Sequence, residues 1–590
     1  MTLKDFGKFL LVISTVCFLA VAFFAKSNER YDVLIKNAKI VDGTGKPAFG
    51  GDIAIKGEKI VAVGKVEGAA EVVIDASALT ASPGFIDPHS HADSAILKYP
   101  LAESYVMQGI TTFLAGNCGM SAAPAENMTF GEWLANAERN GISVNMAMLV
   151  GYGSMRGLVM GEDFRREATS AEIEEMKKYI DEAMRSGAFG FSAGFDYLPD
   201  AFAGNEEITE LARVVQEYGG LYQPHTKYLT SKWATDDPLE VSWSLFLGKP
   251  EDAFLGRYKG YQEAIEVCRK THIRLHIAHM VSAYPIPQPH LNSDILEYEA
   301  GKATVLEIID KSREEGLEVT FNMMPRSGYI IGKERMIDVF YSERVIGLNW
   351  VQDIEKGDFI RRLKTEELRE RLRKVHDEGR LKFVGVHTKA WPYWMDCFRI
   401  IECKNRDYEG KTLGEIARMK NRQALEVMFD IVADDPEASW AQVLEPRAHP
   451  AYLKAVVQSP YFMPSTDSTV SPAKLKKGEA ANPNAYGLYP HYIRTYVKEE
   501  AILSLEEAIR KATSLPARVI GLKDRGVIKE GAFADIVLFD YGKIRDVNDF
   551  LNPDRPPQGI EYVLVNGTVV YDNMTHTGKK PGKVLRYKIF

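Results

Sequence analysis

Two histidines, His89 and His91, stand two positions apart after an apolar segment that contains Phe85 and Ile86. In an extended strand, side chains at positions i and i+2 point to the same side, so both imidazoles face one point. Two neutral imidazoles that converge in this way suit a divalent metal ion, zinc first. The apolar residues before them are typical of the carboxyl end of a buried barrel strand, where such barrels carry their chemistry. The spacing therefore predicts a metal site, and a structural role for the pair is the alternative.

Two further candidate ligands stand where other apolar segments end. Residues 109–118 (GITTFLAGNC) form a β-branched, apolar segment that runs into Cys118. A cysteine thiolate is a strong zinc ligand, and a buried inert cysteine is the alternative. His225 ends the segment 221–225 (LYQPH) in the same way, with a hydrogen-bonded core histidine as the alternative.

The segments 273–279 (IRLHIAH) and 461–467 (YFMPSTD) each end in another candidate ligand, His279 and Asp467. His276 and His279 are three positions apart and face opposite sides of a strand, so only one of them enters a site easily. We expect His279 to be the ligand because it is terminal, and His276 to be structural. For Asp467 alone, a capping or turn role is the alternative.

Composition restricts the class of protein. The chain has 590 residues, which is enough for one large and one smaller domain. Its net charge is −8, so no nucleic-acid-binding surface is indicated. Five cysteines in a chain of this length are no disulfide framework. The spacing of Cys397 and Cys403 leaves open whether these two pair.

The N-terminal segment has the pattern of a targeting signal. Lys4 and Lys8 precede an apolar run over residues 9–25, and a polar stretch follows it. This length suits either a cleaved signal peptide, with a possible cleavage site at residues 20–22 (AVA), or an uncleaved membrane anchor. We expect an exported chain that is periplasmic, extracellular or membrane-anchored, with residues 1–30 as the leader.

The two ends of the chain differ in pattern from the middle. Residues 32–80 and 527–570 contain short alternating strands separated by glycines, whereas strands alternate with amphipathic helices between them. Thr169 with Glu172 predicts one helix start, and Gly187 its end; Ser504 with Glu507 predicts another helix, which ends before Pro516. Such βα alternation predicts an α/β fold with a (β/α)8 TIM barrel.

The domain boundaries follow from these patterns. We predict a small β-sandwich built from residues 31–83 and 519–590, and a metal-dependent barrel over residues 84–518. Two long, weakly patterned stretches, near residues 229–260 and 326–380, are predicted insertions that shape a substrate pocket.

The order His-x-His, Cys, His, His, Asp on successive predicted strands resembles the amidohydrolase superfamily and, within it, the D-aminoacylase (N-acyl-D-amino-acid deacylase) family. The resemblance extends over residues 32–570. Its motifs are residues 84–91 (GFIDPHSH), 116–119 (GNCG), 187–199 (GAFGFSAGFDYLP), 504–509 (SLEEAI) and 531–537 (GAFADIV).

This resemblance implies a site and an activity. The implied ligands of one or two zinc ions are His89, His91, Cys118, His225, His279 and Asp467. Cys118 takes the place of the carboxylated lysine that bridges metals in many relatives, and Tyr197 matches a position that lines the substrate pocket. The implied reaction is hydrolysis of a linear amide of an N-acyl amino acid or related N-acyl amine by metal-activated water, with Asp467 as general base and then acid.

The chain departs from the family pattern outside the metal ligands. The family continues its last barrel histidine with another His and a Lys that holds the substrate carboxylate, whereas Met280 and Val281 follow His279. The family carries Arg and Glu in the segment after His225, whereas this chain has residues 226–229 (TKYL) there. An Asp-x-Tyr-Pro-Tyr segment appears as residues 322–326 (NMMPR), and a Gly-His-Gly segment as residues 151–153 (GYG).

These departures indicate a substrate other than a simple N-acyl-D-amino acid. The aromatic residues Trp391, Tyr393 and Trp394 suit a larger or more apolar molecule, and packing within a loop is the alternative. Two other functions stay open: a cyclic amidohydrolase of the hydantoinase or dihydroorotase type, and a non-catalytic surface binding protein on the same barrel. The first is disfavoured because no lysine ends the segment 189–197.

Overall fold

The computed structural model describes residues 30–588, apart from 230–252, 285–292, 327–329, 342–347, 379–380, 384–385, 388–393, 444–448, 477–480 and 551. The predicted leader lies outside the described residues except for Arg30, as do residues 230–252 of the first predicted insertion. Within the described part of the chain, no helix combines the length and the apolar character that a bilayer crossing requires.

The described strands, in chain order, are β1 (Arg30–Ile40), β2 (Phe49–Lys56), β3 (Lys59–Gly64), β4 (Ala69–Asp75), β5 (Thr80–Pro83), β6 (Phe85–Asp87), β7 (Ile110–Ala115), β8 (Asn145–Met148), β9 (Val150–Gly151), β10 (Gly190–Gly194), β11 (Leu221–His225), β12 (Arg274–Ile277), β13 (Val319–Met323), β14 (Ile330–Arg335), β15 (Lys382–Phe383), β16 (Val386–His387), β17 (Phe398–Glu402), β18 (Ser439–Val443), β19 (Phe462–Pro464), β20 (Ile536–Phe539), β21 (Ile560–Val565), β22 (Thr568–Asp572) and β23 (Thr575–His576). The longer α-helices span Phe130–Asn140, Tyr152–Met160, Ser170–Ser186, Asn205–Glu217, Ala253–Thr271, Asp294–Thr304, Lys356–Arg362, Glu366–Asp377, Leu413–Lys420, Ala424–Asp434, Pro450–Val456, Asn484–Tyr492, Leu505–Ala512 and Ser514–Ile520.

Parallel strands form the predicted barrel. β6, β7 and β8 pair in parallel, and so do β9, β10, β11, β12, β13 and β19. β8 and β9 are separated by Leu149 alone, which joins the two arcs. The ring closes where the backbone N–H of Asp467 donates to the carbonyl of His89 over 3.0 Å, just beyond β19 and β6. Most of these strands are buried along their length, as expected of parallel strands covered on both faces. The (β/α)8 barrel prediction is confirmed.

The predicted helix signals have the expected structure. Thr169 and Glu172 form a reciprocal capping box, and the helix ends at Gly187 with φ +109°. The side chain of Ser504 accepts from the backbone N–H of Glu507, as predicted. This helix ends at Ala512, before Pro516 as predicted, and a new helix, Ser514–Ile520, follows and contains Pro516 in its first turn.

The two chain ends form one nine-stranded sheet beside the barrel. Its order is β23-β22-β21-β20-β5-β1-β2-β3, with β4 paired to β1. β5 joins the two parts because it pairs in parallel with β1 and antiparallel with β20. Only Gly84 separates β5 from β6, so the sheet fixes where the first barrel strand begins.

The second insertion is larger than residues 326–380. It separates β13 from β19 and has its own hydrophobic core, whose buried members run from Met336 to Trp440. β14, β18 and β17 form a small antiparallel sheet within it. Cys397 and Cys403 are both buried here as free thiols, so they do not pair.

Candidate metal centre

The six predicted ligands all lie at the carboxyl ends of barrel strands. They follow or end five different strands: His89 and His91 after β6, Cys118 after β7, His225 on β11, His279 after β12, and Asp467 after β19. Since the carboxyl ends of parallel barrel strands meet on one face, residues far apart in the sequence converge there. The structure brings all six side chains into one cluster.

Cys118 lies at the centre of one group of candidate ligand atoms. Its Sγ is 3.4 Å from His89 Nε2, 3.9 Å from His225 Nδ1 and 3.9 Å from His279 Nε2. The ligand atoms of His89, Cys118 and His279 lie within 4.8 Å of one another, and all three residues are buried. One thiolate with several imidazoles is a donor set typical of zinc.

Asp467 organises a second group. Its Oδ1 is 3.4 Å from His89 Nε2 and 3.2 Å from His91 Nε2, and its Oδ2 is 3.5 Å from His279 Nδ1. Ligand atoms of His89, His91 and Asp467 also lie within 4.8 Å of one another. His89 belongs to both groups through the same nitrogen, Nε2, which has one lone pair and can ligate one cation at a time.

Two ring nitrogens inside the cluster lie within hydrogen-bonding distance of each other. His225 Nδ1 and His279 Nε2 are 2.6 Å apart, the distance of a hydrogen bond from one imidazole to the other, and both also adjoin Cys118 Sγ. The other nitrogen of His225, Nε2, is 3.3 Å from Asp196 Oδ2. Metal-ligating histidines commonly place their second nitrogen against a carboxylate in this way. The residues present therefore fit a zinc site.

Asp467 is ionised in this environment. Burial by itself raises its pKa, but the neighbouring imidazoles of His279 and His89 outweigh that effect and hold the pKa of Asp467 well below its usual value. Burial lowers the pKa of His89, so its imidazole stays neutral and has a lone pair for a metal. The cluster thus combines an ionised carboxylate at Asp467 with a neutral imidazole at His89. At His91, burial lowers the pKa, but the hydrogen bond to Asp467 outweighs burial and raises it.

Three of the candidate ligands have strained backbones. The φ angles of Cys118, His279 and Asp467 are +54°, +32° and +45°, in the left-handed region that favours glycine. Each such residue costs on the order of 1–3 kcal/mol and persists only where the surroundings hold it. Such strain concentrates at functional sites, and here it aims three side chains at one point.

Sequence reasoning missed residues that hold the ligands in place. Asp87, at the end of β6, accepts hydrogen bonds from the backbone N–H and hydroxyl of Thr466, over 3.1 and 2.5 Å, and from the backbone N–H of His89 over 3.3 Å. Asn117 donates to the carbonyls of Leu114 and Ser90 and so fixes the turn before Cys118. Asp87 lies in the motif of residues 84–91 and Asn117 in that of residues 116–119, so these motifs could have identified both as supporting residues.

Tyr197 lies beside the cluster. It follows β10, and its ring centroid is 4.6 Å from that of His225, at a tilt of 54°. It is half-buried, so one part of the ring contacts the candidate ligand and another part is accessible. This is a suitable place for a residue that lines a pocket.

The residues at the departures from the family pattern are engaged elsewhere. Arg326 donates to the side chain and backbone carbonyl oxygens of Asn548, over 3.1 and 2.9 Å. The hydroxyl of Tyr152 donates to the buried carboxylate of Glu207 and receives a hydrogen bond from Arg156. Met280 is fully buried. These side chains therefore do not rebuild the carboxylate clamp.

Trp394 has a packing role rather than a pocket role. It is 3% exposed and packs edge-on against Phe398 in the core of the insertion. For Trp394 the structure therefore favours the packing alternative, because its apolar ring is used to fold the insertion. Trp391 and Tyr393 lie outside the described residues.

Sequence similarity to known deacylases extends over most of the chain. Two models described as amidohydrolase families match residues 80–237 and 480–571. An N-acyl-D-aspartate deacylase of Alcaligenes xylosoxydans xylosoxydans is 28% identical, over 94% of this chain and 95% of the relative. A D-aminoacylase of the same organism is 25% identical, over 95% of this chain and 98% of the relative.

Solved structures agree with the fold. The N-acyl-D-glutamate deacylase of Bordetella bronchiseptica, solved with zinc and a phosphonate mimic of the tetrahedral intermediate, is 25% identical with a TM-score of 0.67, over 95% of this chain and all of that one. A D-hydantoinase is 15% identical with a TM-score of 0.52, over 95% of this chain and 99% of that one, which shows a shared fold alone.

Proposed function

We propose that this chain is a zinc-dependent deacylase of the amidohydrolase superfamily that hydrolyses a linear amide of an N-acyl amino acid or related N-acyl amine. The observation that carries the proposal is the cluster at the carboxyl face of the barrel. There, Cys118 and Asp467 share His89 and His279 as neighbours within 4 Å of their donor atoms. A barrel that only bound a ligand would not require this donor set.

The chain's own residues supply the acid–base part of the reaction. A zinc ion held by the cluster around Cys118 and Asp467 would supply an activated water molecule and a polarised scissile carbonyl. Asp467 is ionised and is placed to accept the proton that this water loses as its oxygen bonds to the acyl carbon. The same carboxyl then donates that proton to the nitrogen as the C–N bond breaks, which releases a carboxylic acid and an amine.

The substrate class follows from the comparison with the family, since the metal ligands are kept and the carboxylate clamp is not. The relatives named above are deacylases of N-acylated acidic D-amino acids or D-aminoacylases. In this chain Val281 stands where the family places the lysine of its carboxylate clamp. Arg326 replaces the last tyrosine of the family's Asp-x-Tyr-Pro-Tyr segment, and its guanidinium is bound to Asn548. We infer an N-acyl substrate that the site does not select through a free amino-acid carboxylate.

A metal-dependent amidase assay tests the proposal. The purified chain is expected to release amine from members of a panel of linear N-acyl D- and L-amino acids, their esters and amides, and N-acyl amines. Treatment with a chelator should lower this activity by at least about 10²-fold, and one or two equivalents of zinc should restore it. Ring opening of hydantoins without hydrolysis of linear amides would favour the cyclic amidohydrolase function. A folded chain that does not bind zinc would contradict both enzyme functions.

We further propose that the chain is exported, on the strength of Lys4 and Lys8 before the apolar residues 9–25. Mass spectrometry of the chain expressed from its first residue should find either an N-terminus beyond residue 22 outside the cell membrane, or an intact N-terminus in the membrane fraction. An intact chain in the cytosolic fraction would contradict export.

A further inference from the structure

A buried histidine that is not a candidate ligand lies directly beneath the cluster. His276 on β12 is fully buried between two residues of the neighbouring strand β13. Its Nδ1 is 2.8 Å from the hydroxyl of Thr320, and its Nε2 is 2.9 Å from the amide nitrogen of Asn322. Burial lowers the pKa of His276 to about 3, so the ring is neutral at physiological pH.

The other end of Asn322 contacts the candidate metal site. Its Oδ1 accepts the backbone N–H of His279 over 3.0 Å and the hydroxyl of Ser465 over 3.0 Å. His279 is a candidate ligand with a left-handed backbone, and Ser465 lies two residues before Asp467. One buried amide therefore joins the segments that carry two of the ligands.

The directions of these hydrogen bonds are fixed by the backbone. Because the N–H of His279 can only donate, the oxygen of Asn322 must face it, and the amide nitrogen must then face His276. His276 Nε2 accepts from that amide and carries no proton, so the proton is on Nδ1 and is donated to Thr320. The imidazole tautomer and the amide orientation determine each other.

We propose that His276 is a positioning residue of the metal site, which fixes the Asn322 amide and through it the backbone of His279 and the segment leading to Asp467. The inference rests on the proposed function and adds to it a residue that the family motifs do not contain. Without an acceptor at His276 Nε2, the buried amide nitrogen of Asn322 loses its hydrogen-bond partner. The amide must then shift to find another acceptor, and this shift weakens the hydrogen bond from its oxygen to the strained backbone N–H of His279.

Two replacements of nearly equal volume separate this role from packing. In His276→Gln, the amide tip reaches the position of Nε2 and offers an oxygen to Asn322. In His276→Leu, the cavity is filled but no acceptor is present. Zinc affinity is measured on the purified full chain, stripped of metal and titrated with zinc in competition with a chromophoric chelator, and thermal unfolding checks that each variant is folded.

We expect zinc to bind about 10–100-fold more weakly to His276→Leu than to the wild type, and within about threefold of the wild type to His276→Gln. Equal losses of zinc affinity in the two variants would show that His276 only fills space, which would overturn the inference. An unchanged zinc affinity in both variants would overturn it as well. If His276→Leu does not fold, Thr320→Val takes its place, because it removes the acceptor of the His276 Nδ1–H while keeping the shape of the side chain. We expect this variant to bind zinc at least severalfold more weakly than the wild type, and an unchanged affinity would contradict the proposal. A wild type that binds no zinc overturns this inference and the proposed function together, whereas zinc binding without amidase activity overturns the proposed function alone.

Discussion

Replacing Asp467 by asparagine is expected to lower kcat by about 10³-fold on the best substrate of the panel, within the range that a positioned general acid–base contributes. The asparagine amide cannot take a proton from water or return it to the leaving nitrogen. Asparagine adopts left-handed backbone angles more readily than most residues, so the φ of +45° at this position is retained without added strain. The loss should therefore reflect chemistry rather than folding.

The measurement is steady-state kinetics together with zinc content of the same preparation. Zinc held by the Cys118 group should be retained, because His89, His225 and His279 are unchanged. Asp435→Asn is the matched control, since Asp435 is also a buried carboxylate, accepts the backbone N–H of Lys404 over 2.7 Å, and lies in the insertion. Asp467→Asn with kcat within a few-fold of the wild type would remove Asp467 from the acid–base role.

The positions of the candidate ligands were largely predictable from the sequence. Each follows a short apolar segment, and a parallel barrel gathers the carboxyl ends of such segments on one face. This is why His89 and Asp467, separated by most of the barrel sequence, could be placed together. His276 could also be excluded as a ligand from the sequence, because strand periodicity turns its side chain away from that of His279. The structure places it against Thr320 and Asn322.

What the sequence did not predict depends on register and on long-range packing. Asp87 binds Thr466 only because β6 and β19 close the ring at one particular register. The link from His276 to Asn322 likewise requires β12 and β13 to pair with His276 opposite Thr320. Neither pairing leaves a local pattern, since the partners are separated by tens or hundreds of residues.

The extent of the second insertion was missed although a signal was present. Thr412 and Glu415 form a capping box that begins the helix Leu413–Lys420, well beyond residue 380. The sequence left the role of Trp394 open because an aromatic residue in a weakly patterned segment suits a pocket and a core equally well. Only the packing of Trp394 against Phe398 decides between the two.

Replacing Cys118 by alanine is expected to weaken zinc binding by at least about 10²-fold, because loss of a ligand exceeds the 10–100-fold that loss of a supporting residue costs. Alanine at φ +54° is no more strained than cysteine, so the turn after β7 should persist, held by Asn117. Elemental analysis of the purified wild type should find one or two zinc ions per chain, and fewer in the variant.

Cys268→Ala is the control for this experiment. Cys268 is also buried, but its thiol donates to the carbonyl of Ile273 over 3.0 Å on the outer helix Ala253–Thr271, so its removal should leave zinc content unchanged. A Cys118→Ala variant with wild-type zinc affinity would exclude Cys118 as a ligand. In that case the histidines and Asp467 would have to hold the metal alone, and the argument for the cysteine-type site over the lysine-bridged type would fail. If the folded wild type does not bind zinc, the remaining hypothesis is a non-catalytic binding protein with this barrel fold. Without the metal there is no activated water from which Asp467 could accept a proton.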